Sequence, residues 1–285
     1  MNQIDVLGVL AQYDLHTNKN LGQNFLKDPT VLKQIAEAAA PFGEAGILEI
    51  GAGIGSLTTL LCERSRRTVT VEIDRSLSPL LNGQVTASHH TFLWKDILQC
   101  EYSALSREYF EGAPFTVVGN LPYYITTEIL SALLADRCWN CAVLMVQKEV
   151  AERLLSGPGS KEYRALSVLL QACCQGELLF EVPPHCFQPA PHVWSAVLRL
   201  VPKEPAVEDF EGFARFVQSA FFARRKMFAS APMVQQALKR NKEELCALLR
   251  QANLPENARG ETFTPQEFIT LYNLAQKKNP PSAKL

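Results

Sequence analysis

The sequence predicts an α/β fold: a Rossmann-like sheet with helices on both faces, followed by a small all-α C-terminal domain. Three observations predict it. Short apolar runs recur between amphipathic stretches from Gly46 to Val201, the pattern of alternating strands and helices. The first run ends in a glycine turn, Gly51-x-Gly53-x-Gly55. Beyond Pro202-Lys-Glu-Pro205 the periodicity is helical throughout. The predicted division is a catalytic domain over 1–203 and a helical domain over 204–285.

Residues 1–20 read as polar and irregular. Asp28-Pro29 is a helix-start pair, and Val31, Leu32, Ile35 and Ala36 give the stripe that follows. Gly46–Ile50 is the first strand, and Thr68–Asp74 the next, with Glu72 near its end. Phe92–Leu98 holds a third short strand, ending at Asp96. Phe115–Val118 is a fourth, a β-branched and aromatic run. Ala142–Gln147, Gly176–Val182 and Val193–Val201 complete the sheet. Asp209–Phe222, Pro232–Arg240, Lys242–Ala252 and Pro265–Ala275 are the helices of the second domain.

Composition narrows the function. Hydrophobic residues make up 47% and charged residues 20%, with net charge −1, so nucleic acid is not gripped over the whole surface and any such contact uses a local basic patch. Ala223-Arg-Arg-Lys-Met227 is the compact basic cluster, and Arg224, Arg225 and Lys226 are the candidate phosphate contacts. Asp5 and Asp14 interrupt the N-terminus, no signal peptide is visible, and no apolar run is long enough to cross a membrane. The eight cysteines are scattered, and Cys138-Trp-Asn-Cys141 has no second pair. The expectation is a cytoplasmic, monomeric protein without metal.

The glycine spacing selects a cofactor. A dinucleotide loop is G-x-G-x-x-G, built to bring a helix N-terminus onto a pyrophosphate. Here the third glycine comes one residue early, which suits an adenosine cofactor lacking pyrophosphate, namely S-adenosylmethionine. Glu72 follows Gly51 by 72 − 51 = 21 residues, where a carboxylate accepts the ribose hydroxyls. Asp96 is placed either for the adenine amino group or as a helix cap.

The stretch after the fourth strand carries the chemistry. Gly119 permits close backbone approach as the chain leaves the strand. Pro122 biases Leu121 to an extended shape and so aims its carbonyl. Asn120 adds an amide carbonyl and Tyr123 a flat ring. Two fixed acceptors beside a stacking ring match the exocyclic amine of a nucleobase; the plain alternative is an ordinary Asn-x-Pro turn. The stiff loop Pro183–Pro191 either presents Phe187 as a second aromatic face or packs it inward.

With these residues assembled, the chain resembles the bacterial ribosomal RNA small-subunit adenine dimethyltransferases from Leu21 to about Tyr272. The likeness is carried by Gly22-Gln-Asn-Phe-Leu26, Glu49-Ile-Gly-Ala-Gly-Ile-Gly55, Val71-Glu-Ile-Asp74, Asn120-Leu-Pro-Tyr123, Gln147–Arg153, Phe187-x-Pro-x-Pro191 and Arg224-Arg-Lys226. The resemblance implies that Asn24, Leu26, Gly51, Gly53, Glu72, Asp96 and Asn120 hold S-adenosylmethionine. It implies that Asn120, Leu121, Pro122 and Tyr123, with Phe187, hold the target adenine. The implied substrate is a pair of adjacent adenosines in a hairpin near the 3′ end of small-subunit ribosomal RNA, each methylated twice on N6, with a further part in ribosome assembly. Tyr124, Lys95 and Gly260 depart from the family's common Asn, Gly and Ala. The alternatives are a large-subunit methylase of the antibiotic-resistance type and a non-catalytic RNA-binding assembly factor.

Overall fold

The computed structural model describes residues 3–18, 21–224 and 226–277. The chain forms two compact units, 1–151 with 176–202, and 152–175 with 203–285. In chain order the elements are α1 (Val6–Ala11), β1 (Phe25–Leu26), α2 (Pro29–Ala39), β2 (Ile47–Ile50), α3 (Ser56–Cys62), β3 (Thr68–Glu72), α4 (Ser78–Gln84), β4 (His90–Trp94), α5 (Tyr102–Tyr109), β5 (Phe115–Asn120), α6 (Thr126–Ala135) and β6 (Trp139–Gln147). Then come α7 (Lys148–Leu155), α8 (Ala165–Cys173), β7 (Cys174–Val182), β8 (Phe187–Gln188), β9 (Ser195–Pro202), α9 (Phe210–Phe222), α10 (Pro232–Leu238), α11 (Lys242–Gln251) and α12 (Pro265–Gln276).

The first unit holds a seven-stranded sheet in the order β4-β3-β2-β5-β6-β9-β7. β2 pairs in parallel with β3 on one side and β5 on the other, and β6 pairs antiparallel with β9. The chain therefore reverses direction across the sheet between β2 and β5, the switch point where open α/β sheets place ligands. β2 and β3 are buried along their whole length, so their apolar runs do not alternate. Ile35, Ala36 and Ala39 of α2 and Leu57 and Leu61 of α3 pack with Val118, Val143 and Met145 of the sheet. Asp28 caps α2 by accepting from the N–H groups of Thr30 at 2.9 Å and Val31 at 3.2 Å, with Pro29 at the first helical position.

A second, two-stranded sheet joins distant segments. β1 pairs antiparallel with β8, placing Leu26 opposite Phe187. The adjacent Lys27 N–H donates to the Cys186 carbonyl at 2.8 Å. The Pro-rich loop is thus tied to the N-terminal Gly22–Leu26 motif, a pairing of residues too far apart in sequence for periodicity to reveal.

The N-terminal stretch, expected to be irregular, contains α1. Asp5 caps it through Gly8 N–H at 3.0 Å, and Val6 and Leu10, one turn apart, are buried. They pack with Phe25, Ala52 and Ile54 of the glycine loop region.

The second unit is helical with an aromatic core, in which Phe216 meets Phe228 edge-on and stacks with Tyr272. Tyr163, fully buried, donates its hydroxyl to the Phe263 carbonyl at 3.0 Å. The boundary expected at 203 marks only one junction of this unit. Residues 152–175 also belong to it, because α8 packs on α9 and α12. A local apolar stripe such as Leu166–Ala172 does not disclose which core it serves.

Candidate functional site

A cavity of about 190 Å3 opens at the C-terminal ends of β2, β3 and β5, lined by residues from 21–26, 50–57, 71–73, 95–98 and 120–125. Seven residues from five stretches of the sequence therefore converge on one place: Asn24, Leu26, Gly51, Gly53, Glu72, Asp96 and Asn120 all line it.

The glycine loop leaves β2 through positive-φ backbone. Gly53, at φ +55°, adopts backbone that other residues reach only with strain, and a Cβ there would press on the Phe25 ring at 3.0 Å. Glu72, at the end of β3, holds this loop. One carboxylate oxygen accepts from Ala52 N–H at 2.9 Å and Gly53 N–H at 3.3 Å, and the other from Asp74 N–H at 2.8 Å. Burial raises its carboxyl above the usual carboxylate range, against those three donors, which lower it. Four lone-pair sites meet three backbone donors, so acceptor capacity remains toward the cavity.

Asp96 accepts from Leu98 N–H at 2.9 Å through one oxygen, capping the short turn after β4. Asp96 is thus a cap, and it also lines the cavity. Lys95 lines the cavity beside it.

At the exit of β5, Gly119 does what its position in the sequence requires: a Cβ there would lie 2.8 Å from the Ile50 carbonyl of β2. The Leu121 N–H still donates to Met145 at 3.0 Å, so the backbone stays in register with β6 to that point. The Pro122 carbonyl accepts from Ile125 N–H and the Thr126 hydroxyl. No hydrogen bond to the Leu121 carbonyl occurs among the described residues. The Asn120 amide nitrogen donates to the Asn24 carbonyl at 3.2 Å, which turns its Oδ1 to the acceptor role. Tyr123 is half-buried, its hydroxyl 2.7 Å from Ser195 Oγ at the start of β9. Burial raises this phenol, and the Ser195 contact lowers it.

Phe187 does not join this group. It is 1% exposed, paired through β8 with Leu26, and packed with Leu32, Val118 and Met145 in the core. Of the two readings of the Pro183–Pro191 loop, the inward one is correct, because the β1–β8 ladder turns the ring into the sheet's apolar layer. The basic cluster also differs from a simple phosphate patch. Arg224 is bound to Glu261 at 2.7 Å and to the Ser160 and Lys161 carbonyls, within the second unit. Lys226 is exposed, and Arg225 lies outside the described residues.

Three partners escaped the sequence. Gln23 donates to Asp74 at 2.7 Å, fastening the N-terminal motif to the exit of β3. Ser195 orients Tyr123. Glu49, fully buried in β2, accepts from Thr58 of α3 at 2.6 Å and Thr70 of β3 at 2.9 Å, while its second oxygen has no partner. Burial pushes this carboxyl up to about 7, against the two threonine hydroxyls, with the Glu72 charge adding to the rise. A charged residue in an otherwise apolar strand is its signal.

A switch-point cavity with a glycine loop, a buried acid closing β3 and an Asn-Leu-Pro-Tyr turn at the exit of β5 is the site of an S-adenosylmethionine-dependent methyltransferase. The sequence model of the family described as ribosomal RNA adenine dimethylase matches residues 15–276. A ribosomal RNA small subunit methyltransferase A from Alkaliphilus metalliredigens is 39% identical over 268 residues, 92% of this chain and 93% of that protein. Its counterpart from Geobacillus thermodenitrificans is 38% identical, with 93% of each covered. Among solved structures, a dimethyladenosine transferase from Plasmodium falciparum superposes with TM-score 0.75 at 23% identity, covering 88% of this chain and 98% of that one. The 23S rRNA methyltransferase ErmE superposes with TM-score 0.66 at 26% identity over the same shares. The chain belongs to the ribosomal RNA adenine dimethylase family, and it is an enzyme that uses S-adenosylmethionine.

Proposed function

We propose that this protein methylates N6 of two adjacent adenosines in the hairpin near the 3′ end of small-subunit ribosomal RNA, within the small subunit or its precursor, as a cytoplasmic monomer. The small-subunit substrate is supported by relatives of that name at 37–39% identity over more than nine-tenths of the chain, against 26% for the large-subunit enzyme. The observation that carries the chemistry is the Asn120 amide, fixed through its nitrogen on the Asn24 carbonyl with Oδ1 left as acceptor.

S-adenosylmethionine supplies, when bound, an electrophilic methyl group on a sulfonium. Glu72 and Asp96 would hold its ribose and adenine, and the 51–53 backbone and Asn24 its remaining polar groups; the buried carboxyl of Glu72 fits a partner that donates hydrogen bonds. The target amine is a poor nucleophile, because its lone pair is delocalised into the ring. Asn120 Oδ1 and the Leu121 carbonyl would accept its two N–H bonds, draw the nitrogen toward a pyramidal shape and stabilise the positive charge that develops. Pro122 keeps the Leu121 carbonyl aimed, and the Tyr123 ring stacks on the base, returning about 1–3 kcal/mol of the cost of unstacking it. No general base enters. Lys226 and Arg225 are the proposed phosphate contacts of the helical unit.

Incubation with undermethylated small subunits and labelled cofactor, followed by mapping of modified nucleotides, tests the proposal. Label at N6 of two adjacent adenosines is expected; label confined to large-subunit RNA, or none, rejects it.

A further inference from the structure

The loop that buries Phe187 exposes another aromatic. Val193 and Trp194 are 43% and 48% exposed immediately before β9. Their place is well defined. Ser195, next in the chain, is fully buried and holds the Tyr123 hydroxyl at 2.7 Å. The Trp194 carbonyl accepts from Lys148 N–H at 2.9 Å, and the Lys148 ammonium stands 5.9 Å from the centre of the indole. That ammonium also contacts both oxygens of Glu181, at 2.8 and 2.9 Å, which holds it beside the ring. Trp194 is not among the residues that line the cavity described above.

We propose that Trp194 is the stacking platform for the nucleotide that flanks the target adenine. The inference rests on the reading that Tyr123 carries the target base. Drawing that base out of its stack strips one face of its neighbour, which then needs a new partner. Trp194 directly precedes Ser195, whose hydroxyl meets Tyr123, so its backbone adjoins the base site while its ring is left exposed. Its backbone is pinned to α7 and its ring is braced by Lys148, so stacking costs little further ordering. Stacking selects any base by its flat face, which makes Trp194 a positioning residue that acts on substrate affinity.

The test uses the full-length enzyme and a hairpin RNA carrying two adjacent adenosines, in intact form and with an abasic site at each flanking nucleotide in turn. Trp194→Ala is expected to raise the RNA Kd and KM about tenfold. The change falls on KM rather than on kcat at saturating RNA, and the cofactor Kd stays at the wild-type value, which also reports an intact fold. Trp194→Phe restores most of the affinity. One abasic RNA binds wild type and Trp194→Ala alike. Trp194 emission is quenched by the intact hairpin, a change missing from Trp194→Phe. A wild-type RNA Kd in Trp194→Ala, or an undiminished difference between the two proteins on every abasic RNA, overturns the proposal. Wild-type turnover in Asn120→Ala rejects the base-site reading instead, and the Kd comparison still decides the platform.

Discussion

Asn120 separates catalysis from binding at the scale of one residue. Asn120→Ala is expected to fold and to bind RNA, because most of that affinity comes from phosphate contacts. Single-turnover transfer at saturating RNA and cofactor should fall by about 10²-fold or more, the usual effect of removing one group that stabilises developing charge. Tyr123→Phe loses only the hydroxyl that meets Ser195 and keeps the ring, so it should retain most of the turnover that Tyr123→Ala loses. Glu49 predicts a pH effect. Its carboxyl binds a proton more tightly folded than unfolded, so its contribution to stability is full below pH 4.5 and declines as pH rises to about 7. The decline amounts to about 3 kcal/mol for a carboxyl moved from 4.5 to about 7. Glu49→Gln should therefore gain on wild type between pH 5 and pH 8 in urea unfolding; a constant difference across that range counts against it. Asn24 was legible only through the family resemblance, Glu72 because it closes a β-branched run 72 − 51 = 21 residues after Gly51, and Asn120 because it leaves a strand in a turn that Gly119 and Pro122 mark. Ser195, Gln23 and Glu49 were not, since their partners lie on other elements.

At the scale of elements, the parallel pairing of β5 with β2 sets the site. Gly119→Ala would put a methyl group against the Ile50 carbonyl, a contact with backbone that cannot rotate away. A loss of about 1–3 kcal/mol is expected in urea unfolding, with weaker cofactor binding, as strand exits at Gly51 and Asn120 move apart. The strands of the sheet were readable from their β-branched runs. β8 was not: two residues give no periodicity, and the choice between an outward and an inward Phe187 depends on β1, which lies over 150 positions earlier in the chain.

On the scale of the whole molecule, the basic cluster divides by role. Lys226 is exposed, whereas Arg224 is engaged with Glu261 and two carbonyls. Lys226→Ala should lower the slope of log K against log salt by about one without changing stability. Arg224→Ala should lower the melting temperature of the protein instead, by breaking the contacts that fasten 160–161 to the end of α9. Equal salt slopes in Lys226→Ala and wild type would place the phosphate contact on other residues.

The interleaving of the two units dictates how the protein can be dissected. A fragment ending at Pro202 retains α8 but lacks α9 and α12, so the side of α8 that packs on those two helices would face water. Such a truncation invites aggregation whatever the stability of its sheet. A fragment beginning at Lys203 lacks the same helix from the other side, and Tyr163 no longer reaches Phe263. An independently expressed sheet domain requires excising 152–175 and joining Ala151 to Gly176 through a linker. An independently expressed helical domain requires grafting that segment onto 203–277.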